Sequence, residues 1–392
     1  MNLPVTATEK HPGTTIRSIR LIGLSHTLPN GLAYGMSRGM TPCRQTTLVE
    51  LTTEDGVVGI GEAWGMPALN AAYLAVIKPF YLGRRVFDHE LAWYDVISRL
   101  YHLGIQNQMI ACMSGIDMAA RDAIGKQLGV GVCDLLGGRG SERIPVYASG
   151  GYFANQAHYS LEHQLEPLAG QGHKRIKIKI GRSPQDDQDR VARSRIVLGD
   201  DFELLVDTNG NYSPDLVLDS MRRIAPYNIG WYEEPLPPQD FQGLQRLREQ
   251  ALIPVATGEA LYTAFDFNRL LEARQVDVLQ PDITLCGGLG QARHSALQAL
   301  QVNLRVSPHV WGSAVGLAAA CHFVASLPTY PHGDNNPAPT LIEYDIGINP
   351  LRDELLSTPL TAQAGEVAVP TGAGLGIELD PDAVAKYQTE VY

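Results

Sequence analysis

Three acidic residues, Asp207, Glu233 and Glu259, recur at equal spacing, each near the end of a short β-rich run: FELLVDTN, IGWYEEP and PVATGE. If the runs are neighbouring strands, the three carboxylates meet at one end of a sheet. Two unit charges 4 Å apart repel by about 4 kcal/mol at an effective dielectric of 20, so such a trio requires a cation or partial protonation. Oxygen donors that leave positions for water and substrate suit Mg2+, whereas Zn2+ prefers His and Cys. Asn209, two residues past Asp207, is placed to support the ligands by hydrogen bonding and to line the same site.

In the preceding run, RIKIKIG, Lys177 and Lys179 alternate with isoleucines, so both lysines share one face. When the opposite face packs on helices, the lysines turn inward toward the carboxylates. A crowded cationic neighbour then lowers a lysine pKa and makes it a usable base. Three later runs end in Asp282, His309 and Glu343. A carboxylate on the adjoining strand holds a histidine in one tautomer and raises its basicity. A lysine base, a histidine base and a cation between them suit abstraction of a proton α to a carboxylate. Glu343, if protonated, can donate a hydrogen bond to the enediolate that results.

These groups must be positioned by repeating elements. From residue 145 the segments IPVYASGG, RIKIKIG, FELLVDTN, IGWYEEP, PVATGE, VDVLQPD, NLRVSPH and TLIEYD alternate with amphipathic stretches such as PQDDQDRVARSRIVLG. Eight β-then-α units predict an α/β fold, a (β/α)8-type barrel whose strand ends form the active-site mouth. Spacing alone leaves an open doubly wound sheet as the alternative, but no GxGxxG or Walker sequence marks its first turn. Before the barrel, TTIRSIRLIGLSHTL and TTLVELTTEDGVVGIGEA read as strands with an Asp-Gly hairpin signal, followed by helical segments over residues 70–136. The division expected is a tail at 1–13, an α+β capping domain at 14–140, the barrel at 141–350, and a segment at 351–392 that returns to complete the cap. That last segment, GEVAVPTGAGLGIELDPDAVAKY, predicts two short strands around a Gly-rich turn and a terminal helix.

The motifs Lys177-Ile178-Lys179, Asp207-Thr208-Asn209, Trp231-Tyr232-Glu233-Glu234-Pro235, Gly258-Glu259, Gln280-Pro281-Asp282, Pro308-His309-Val310-Trp311 and Leu341-Ile342-Glu343 resemble, in this order, the enolase superfamily, mandelate racemase subgroup. The resemblance runs from about residue 15 to the end. It implies Mg2+ on Asp207, Glu233 and Glu259, with Glu234 not a ligand. It also implies Lys179 as one acid/base, Lys177 as an electrostatic aid to the substrate carboxylate, the His309–Asp282 dyad as the opposite acid/base, and Glu343 as hydrogen-bond donor. HVWGSAVGLAAACHF, NPAPTLIEYD and TPLTAQAGEVAVPTGAGLGIELD are most similar to the galactarolactone and 3,6-anhydrogalactonate cycloisomerases of the subgroup. That similarity implies ring opening to a 2-keto-3-deoxy acid, with acid-sugar dehydration as the alternative and a non-catalytic sugar-acid binder as a remote one. Specificity is expected from two mobile cap loops, residues 24–44 and 62–70, through Tyr34, Arg38, Arg44 and Trp64, together with Trp311 at the mouth. Arg121, where many relatives carry Trp, and Cys286 before Gly287-Gly288 depart from the pattern.

Composition limits the remaining possibilities. Of 392 residues, 44% are hydrophobic and 19% charged, so the chain can build a large core. A net charge of -11 opposes nucleic-acid and anionic-membrane surfaces, which need Lys/Arg clusters. A small-molecule carboxylate, either a sugar acid or its lactone, remains the expected partner, with a homo-oligomer expected by analogy. No run of 18 to 20 apolar residues and no hydrophobic signal core occurs, so a cytoplasmic location is expected. Five scattered cysteines without a CxxC read as reduced and packed.

Overall fold

The computed structural model describes residues 14–328 and 339–392. The expected tail at 1–13 lies outside the described residues, as do Asn336, Pro337 and Ala338 of the NPAPTLIEYD segment.

The chain begins with β1 (Ile16–Thr27), a small hairpin of β2 (Tyr34–Met36) and β3 (Gly39–Thr41), then β4 (Cys43–Thr53) and β5 (Val58–Ala63). β1, β4 and β5 pair antiparallel, and the Asp55-Gly56 turn joins the last two as the hairpin signal predicts. One face of this sheet receives the helix Gln108–Leu128, nearly all of which is buried. Gly59 and Gly61 permit the approach: a Cβ there would stand 2.0 Å from the Ala119 carbonyl oxygen and 2.1 Å from that of Gly115. Ile19, Leu21, Val49, Leu51, Trp93 and Ile116 belong to the resulting apolar cluster.

Eight parallel strands follow: β6 (Arg143–Gly150), then, after the two-residue β7 (Phe153–Ala154), β8 (Arg175–Lys179), β9 (Glu203–Asp207), β10 (Ile229–Glu233), β11 (Val255–Thr257), β12 (Val278–Leu279), β13 (Arg305–Val306) and β14 (Ile342–Asp345). Their hydrogen-bonded order is β14-β6-β8-β9-β10-β11-β12-β13. A Ser307 hydroxyl donating to the Leu341 carbonyl, 2.9 Å away, links the last strand to the first of that series. This is the expected (β/α)8-type barrel. Seven of the eight β-rich segments in the sequence contain one of its strands whole, and IPVYASGG holds all of β6 but its first residue, Arg143. Tyr147, Leu205, Trp231, Ala256, Val278 and Leu341 fill the lumen beneath the strand ends.

The C-terminal segment has the terminal helix its sequence predicts, Pro381–Tyr387, but differs in its strands. β15 (Glu366–Ala368) pairs antiparallel with β6 of the barrel, and the GLGIELD stretch forms two isolated bridges, Gly131 with Gly374 and Leu356 with Leu379, rather than a strand. The chain then ends in an unpredicted strand, β16 (Gln388–Val391), paired with β1. Its residues are exposed, so no apolar alternation marks it. The loop at 24–44 is likewise an ordered hairpin, in which β2 pairs with β7 beside the barrel. All five cysteines are free; four are buried, and burial pushes the thiols of Cys112 and Cys321 up to about 12.

Candidate active site

Strand register brings the trio together. Lys179 pairs with Asp207 and Asp207 with Glu233, at the same level of three adjacent strands. Glu259 follows β11 after Gly258, whose φ of +140° and backbone contact with Gln280 exclude a side chain. One oxygen from each of Asp207, Glu233 and Glu259 lies within 4.8 Å of the others. The Asn209 backbone N–H donates to Asp207 Oδ1 at 2.7 Å, and its Nδ2 donates to Glu259 Oε1 at 3.5 Å and to Glu234 Oε2 at 3.3 Å. Glu259 Oε2 is buried without a hydrogen-bond partner. A donor set of carboxylates alone, with a buried oxygen left over, fits Mg2+. Burial drives the Glu233 carboxyl up to about 8, opposed by Lys177 and aided by Asp207 and Glu259. Glu234, also buried and at φ 40°, is raised further by burial and by Glu259.

Both lysines point inward. Lys177 Nζ is fully buried; it donates to Glu233 Oε1 and lies 2.8 Å from Glu343 Oε1 and 3.7 Å from Asp207 Oδ2. Lys179 Nζ donates to Asp207 Oδ2 at 2.5 Å. The expected fall in lysine pKa is overturned. Burial is the largest influence and favours the neutral amine, as does Lys177, but Asp207, Glu259 and Glu343 together outweigh them, so Lys179 is raised. Its nearest neighbour is a carboxylate rather than the other ammonium.

On the opposite side, His309 Nδ1 meets Asp282 Oδ2 at 2.7 Å, while its Nε2 lies 3.6 Å from both Glu259 Oε2 and Glu343 Oε2. Burial resists the imidazolium, yet Glu259, Glu343 and Asp282 raise His309 to about 10. Glu343 donates a hydrogen bond only when protonated, and its surroundings favour the carboxylate. Burial favours the neutral acid, but Lys177 and His309 hold it at about 2. It accepts from the Val310 backbone N–H at 3.0 Å.

The specificity residues separate into two groups. Arg38 is exposed and reaches the Gly210 carbonyl at 3.4 Å, while Ser37 beside it donates to the Thr208 carbonyl, so this hairpin overhangs the Asp207 side. Trp64, 44% exposed, hangs its backbone N–H on the Thr284 carbonyl near Asp282. Tyr34 and Arg44 are instead buried. Arg44 pairs with Asp345 at 2.8 Å, donates to the Tyr34 hydroxyl and stacks on Trp311 at 4.3 Å. Trp311 donates from Nε1 to the Tyr152 hydroxyl at 3.0 Å. Tyr34 and Arg44 therefore sit in a buried cluster with Asp345, Tyr152 and Trp311 rather than on an exposed loop. Alternation on β4 sends Arg44 inward, where Asp345 neutralises it.

A model described as "Enolase C-terminal domain-like" matches residues 160–383, and one for the N-terminal domain of mandelate racemase and muconate lactonizing enzymes matches residues 26–137. The chain belongs to the enolase superfamily. Among its relatives, the D-galactarolactone cycloisomerase of Agrobacterium fabrum is 33% identical over 88% of this chain and 92% of its own. The arabinonate dehydratase of Saccharolobus solfataricus is 29% identical over 86% and 89%. In structure, the 3,6-anhydro-D-galactonate cycloisomerase from Zobellia galactanivorans superposes with a TM-score of 0.85 at 31% identity, covering 96% of this chain and all of its own. A racemase from Streptomyces coelicolor, solved with bound magnesium, superposes at 0.84 with 25% identity over 95% of this chain and 100% of that one. This enolase superfamily member is thus an enzyme whose relatives include cycloisomerases and acid-sugar dehydratases. No helix among its described residues is long and apolar enough to cross a membrane.

Other positions in the lumen of this superfamily member escaped the sequence reading. Trp231 Nε1 and Gln280 Nε2 both donate to Glu233 Oε2, at 3.0 and 2.7 Å, leaving Oε1 facing Lys177. Tyr147 is fully buried with an unpartnered hydroxyl. Trp231 and Gln280 each stand two residues before a strand-end acid, so alternation alone assigns them to the same inward face. Arg121 and Cys286 lie away from the carboxylate trio. Arg121 binds Asp117 and Glu90, and Cys286 is buried.

Proposed function

We propose that the chain opens the ring of a sugar-acid lactone or anhydro sugar acid by removing the proton α to its carboxylate. The observation carrying this reading is that Lys179 and His309 flank the carboxylate trio, Lys179 against Asp207 and His309 against Glu259. Two opposed proton-transfer groups serve a carbon acid approached from either face, and a mere binder has no use for them. The 33% identical D-galactarolactone cycloisomerase supports the ring-opening outcome.

Asp207, Glu233 and Glu259 would hold Mg2+, which when bound supplies electrostatic stabilisation for negative charge on the substrate carboxylate. Lys177, buried on the strand that carries Lys179, adds a fixed positive charge. Asp207 and Glu259 are among the carboxylates that raise Lys179 and His309, and a cation held by them would offset that effect. Either group is then free to take the α proton, and the C–H electron pair becomes the enediolate. That pair then forms the carbon–carbon double bond as the β carbon–oxygen bond breaks, and its electrons stay on the ring oxygen. An ether oxygen leaves as an alkoxide and takes the proton held by Lys179 or His309, whereas a lactone oxygen leaves as a carboxylate and needs none. The enol then loses its O–H proton and gains one at the β carbon to give the 2-keto-3-deoxy acid, with no water released. Asp282 holds the His309 tautomer throughout. Arg38 and Trp64 contact the distal part of the substrate from the two rims. The enzyme works as a homo-oligomer in the cytoplasm.

Galactarolactones, anhydrogalactonates and open-chain aldonates incubated with Mg2+ test the reading by 1H NMR. Conversion of a cyclic substrate to a 2-keto product of equal mass supports it, and turnover of open-chain acids alone replaces it with dehydration.

A further inference from the structure

We propose that Glu62, a cap residue, is a positioning residue that sets the His309–Trp311 segment from across the domain boundary. Glu62 is 1% exposed and sits near the end of β5, yet its carboxylate lies at the start of the barrel helix Ala314–Ala325. Oε1 accepts from the Thr46 hydroxyl at 2.6 Å and the Ser313 backbone N–H at 2.8 Å. Oε2 accepts from the Ser313 hydroxyl at 2.6 Å and the Gly316 backbone N–H at 2.7 Å. Ser313, the helix N-cap, in turn accepts from the Val315 N–H at 3.2 Å. A cap-domain acid thereby completes the capping of a barrel helix, where first-turn donors and the helix dipole favour a negative charge.

The helix held in this way cannot fix its own position. All twelve of its residues are buried, and nearly all are apolar. Apolar packing is non-directional, so polar ties must set where such a helix begins. His322 supplies ties near the far end, accepting from the Cys133 N–H at Nδ1 and donating from Nε2 to the Leu375 carbonyl. Glu62 supplies the tie at the end nearest the mouth.

Only Val310, Trp311 and Gly312 separate His309 from Ser313. Gly312 leaves no slack, since a Cβ there would stand 2.2 Å from Glu62 Oε1, and Asn349 Nδ2 holds its carbonyl at 2.9 Å. Two residues beyond Glu62, Trp64 hangs on Thr284, itself the residue whose N–H and hydroxyl hold Asp282 Oδ1. Residues 62–64 thus hold the chain four residues past His309, at Ser313, and two past Asp282, at Thr284.

The inference rests in part on the reading of His309 as a base, so the experiment has one arm that does not need it. Hydrogen–deuterium exchange by mass spectrometry is compared for wild type, Glu62→Gln, the milder Ser313→Ala, and Asp122→Asn. Asp122 is another buried acid of the cap, which holds the Ile60 and Leu375 N–H groups. Gln replaces one accepting oxygen with a donor, against N–H and O–H groups that also donate. Expected is at least tenfold faster exchange at residues 309–312 in Glu62→Gln, a smaller rise in Ser313→Ala, and under twofold change at residues 176–181 in both. Asp122→Asn should leave both segments within twofold. In kinetics, Glu62→Gln should lower kcat at least tenfold for the epimer whose α proton faces His309, with KM within threefold and the Lys179-facing epimer within threefold. Unchanged exchange at 309–312, or an equal rise in Asp122→Asn, would overturn the inference. Wild-type inactivity on every sugar acid would overturn the functional reading alone, and the exchange arm would still decide this one.

Discussion

His309 Nδ1 and Asp282 Oδ2 stand 2.7 Å apart, and the second Asp282 oxygen is occupied by the Thr284 N–H and hydroxyl. The carboxylate is thus committed on both sides, and one ring nitrogen is left facing the trio. Asp282→Asn should remove the acceptor that fixes the tautomer and cut turnover by roughly 10^2 to 10^4-fold, by analogy with other His–Asp pairs. Steady-state assays on the preferred substrate check this; activity within tenfold of wild type would detach Asp282 from the chemistry.

Three carboxylates with one oxygen each inside 4.8 Å repel one another, and Lys177 and Lys179 on the Asp207 and Glu233 side leave Glu259 without a lysine partner. Mg2+ should therefore raise the melting temperature, since a ligand at 100 times its Kd stabilises the native state by about 2.7 kcal/mol. Asp207→Asn should abolish most of the rise. Calorimetry with EDTA and with Mg2+ reads both effects.

Arg44 and Arg38 should behave differently although they are close in sequence. Arg44 forms a buried pair with Asp345, so Arg44→Ala leaves that carboxylate with only the more distant Arg352, at 3.8 Å, and should destabilise the fold by about 3 kcal/mol. Arg38 is exposed and reaches only a backbone carbonyl at 3.4 Å, so Arg38→Ala should leave the melting temperature within a degree or two while raising KM. Denaturant unfolding and steady-state kinetics on the two variants separate structure from specificity.

The buried Asp117–Arg121 contact gives a pH signature away from the mouth. Burial alone would raise Asp117, but Arg121 and His89 hold it below the usual carboxylate range. A carboxylate depressed in the folded state contributes stability that is complete above its unfolded value, about 3.9, and is lost as pH falls through the folded value. The destabilisation caused by Asp117→Asn should therefore be full at pH 7 and shrink on going below pH 4. Urea melts at the two pH values measure the difference.

The barrel and the trio were legible in the sequence because both rest on strand alternation. A period of two fixes which side chains turn inward, and equal spacing places Asp207, Glu233 and Glu259 on adjacent strands. Protonation was not legible, because it depends on the nearest charge in space: Asp207 lies against Lys179, and Lys177 against Glu343. The buried state of Arg44 was hidden for a similar reason, since its partner Asp345 lies 301 positions along the chain. β16 was missed because an exposed edge strand carries no apolar pattern.

The central claim is that Lys179 and His309 transfer protons on opposite faces of one α carbon. Deuterium exchange at that carbon, followed by NMR in D2O with Mg2+ for each epimer, tests it most directly. The account predicts that Lys179→Ala abolishes exchange for one epimer and His309→Asn for the other. Retention of exchange for both epimers in both variants would contradict it.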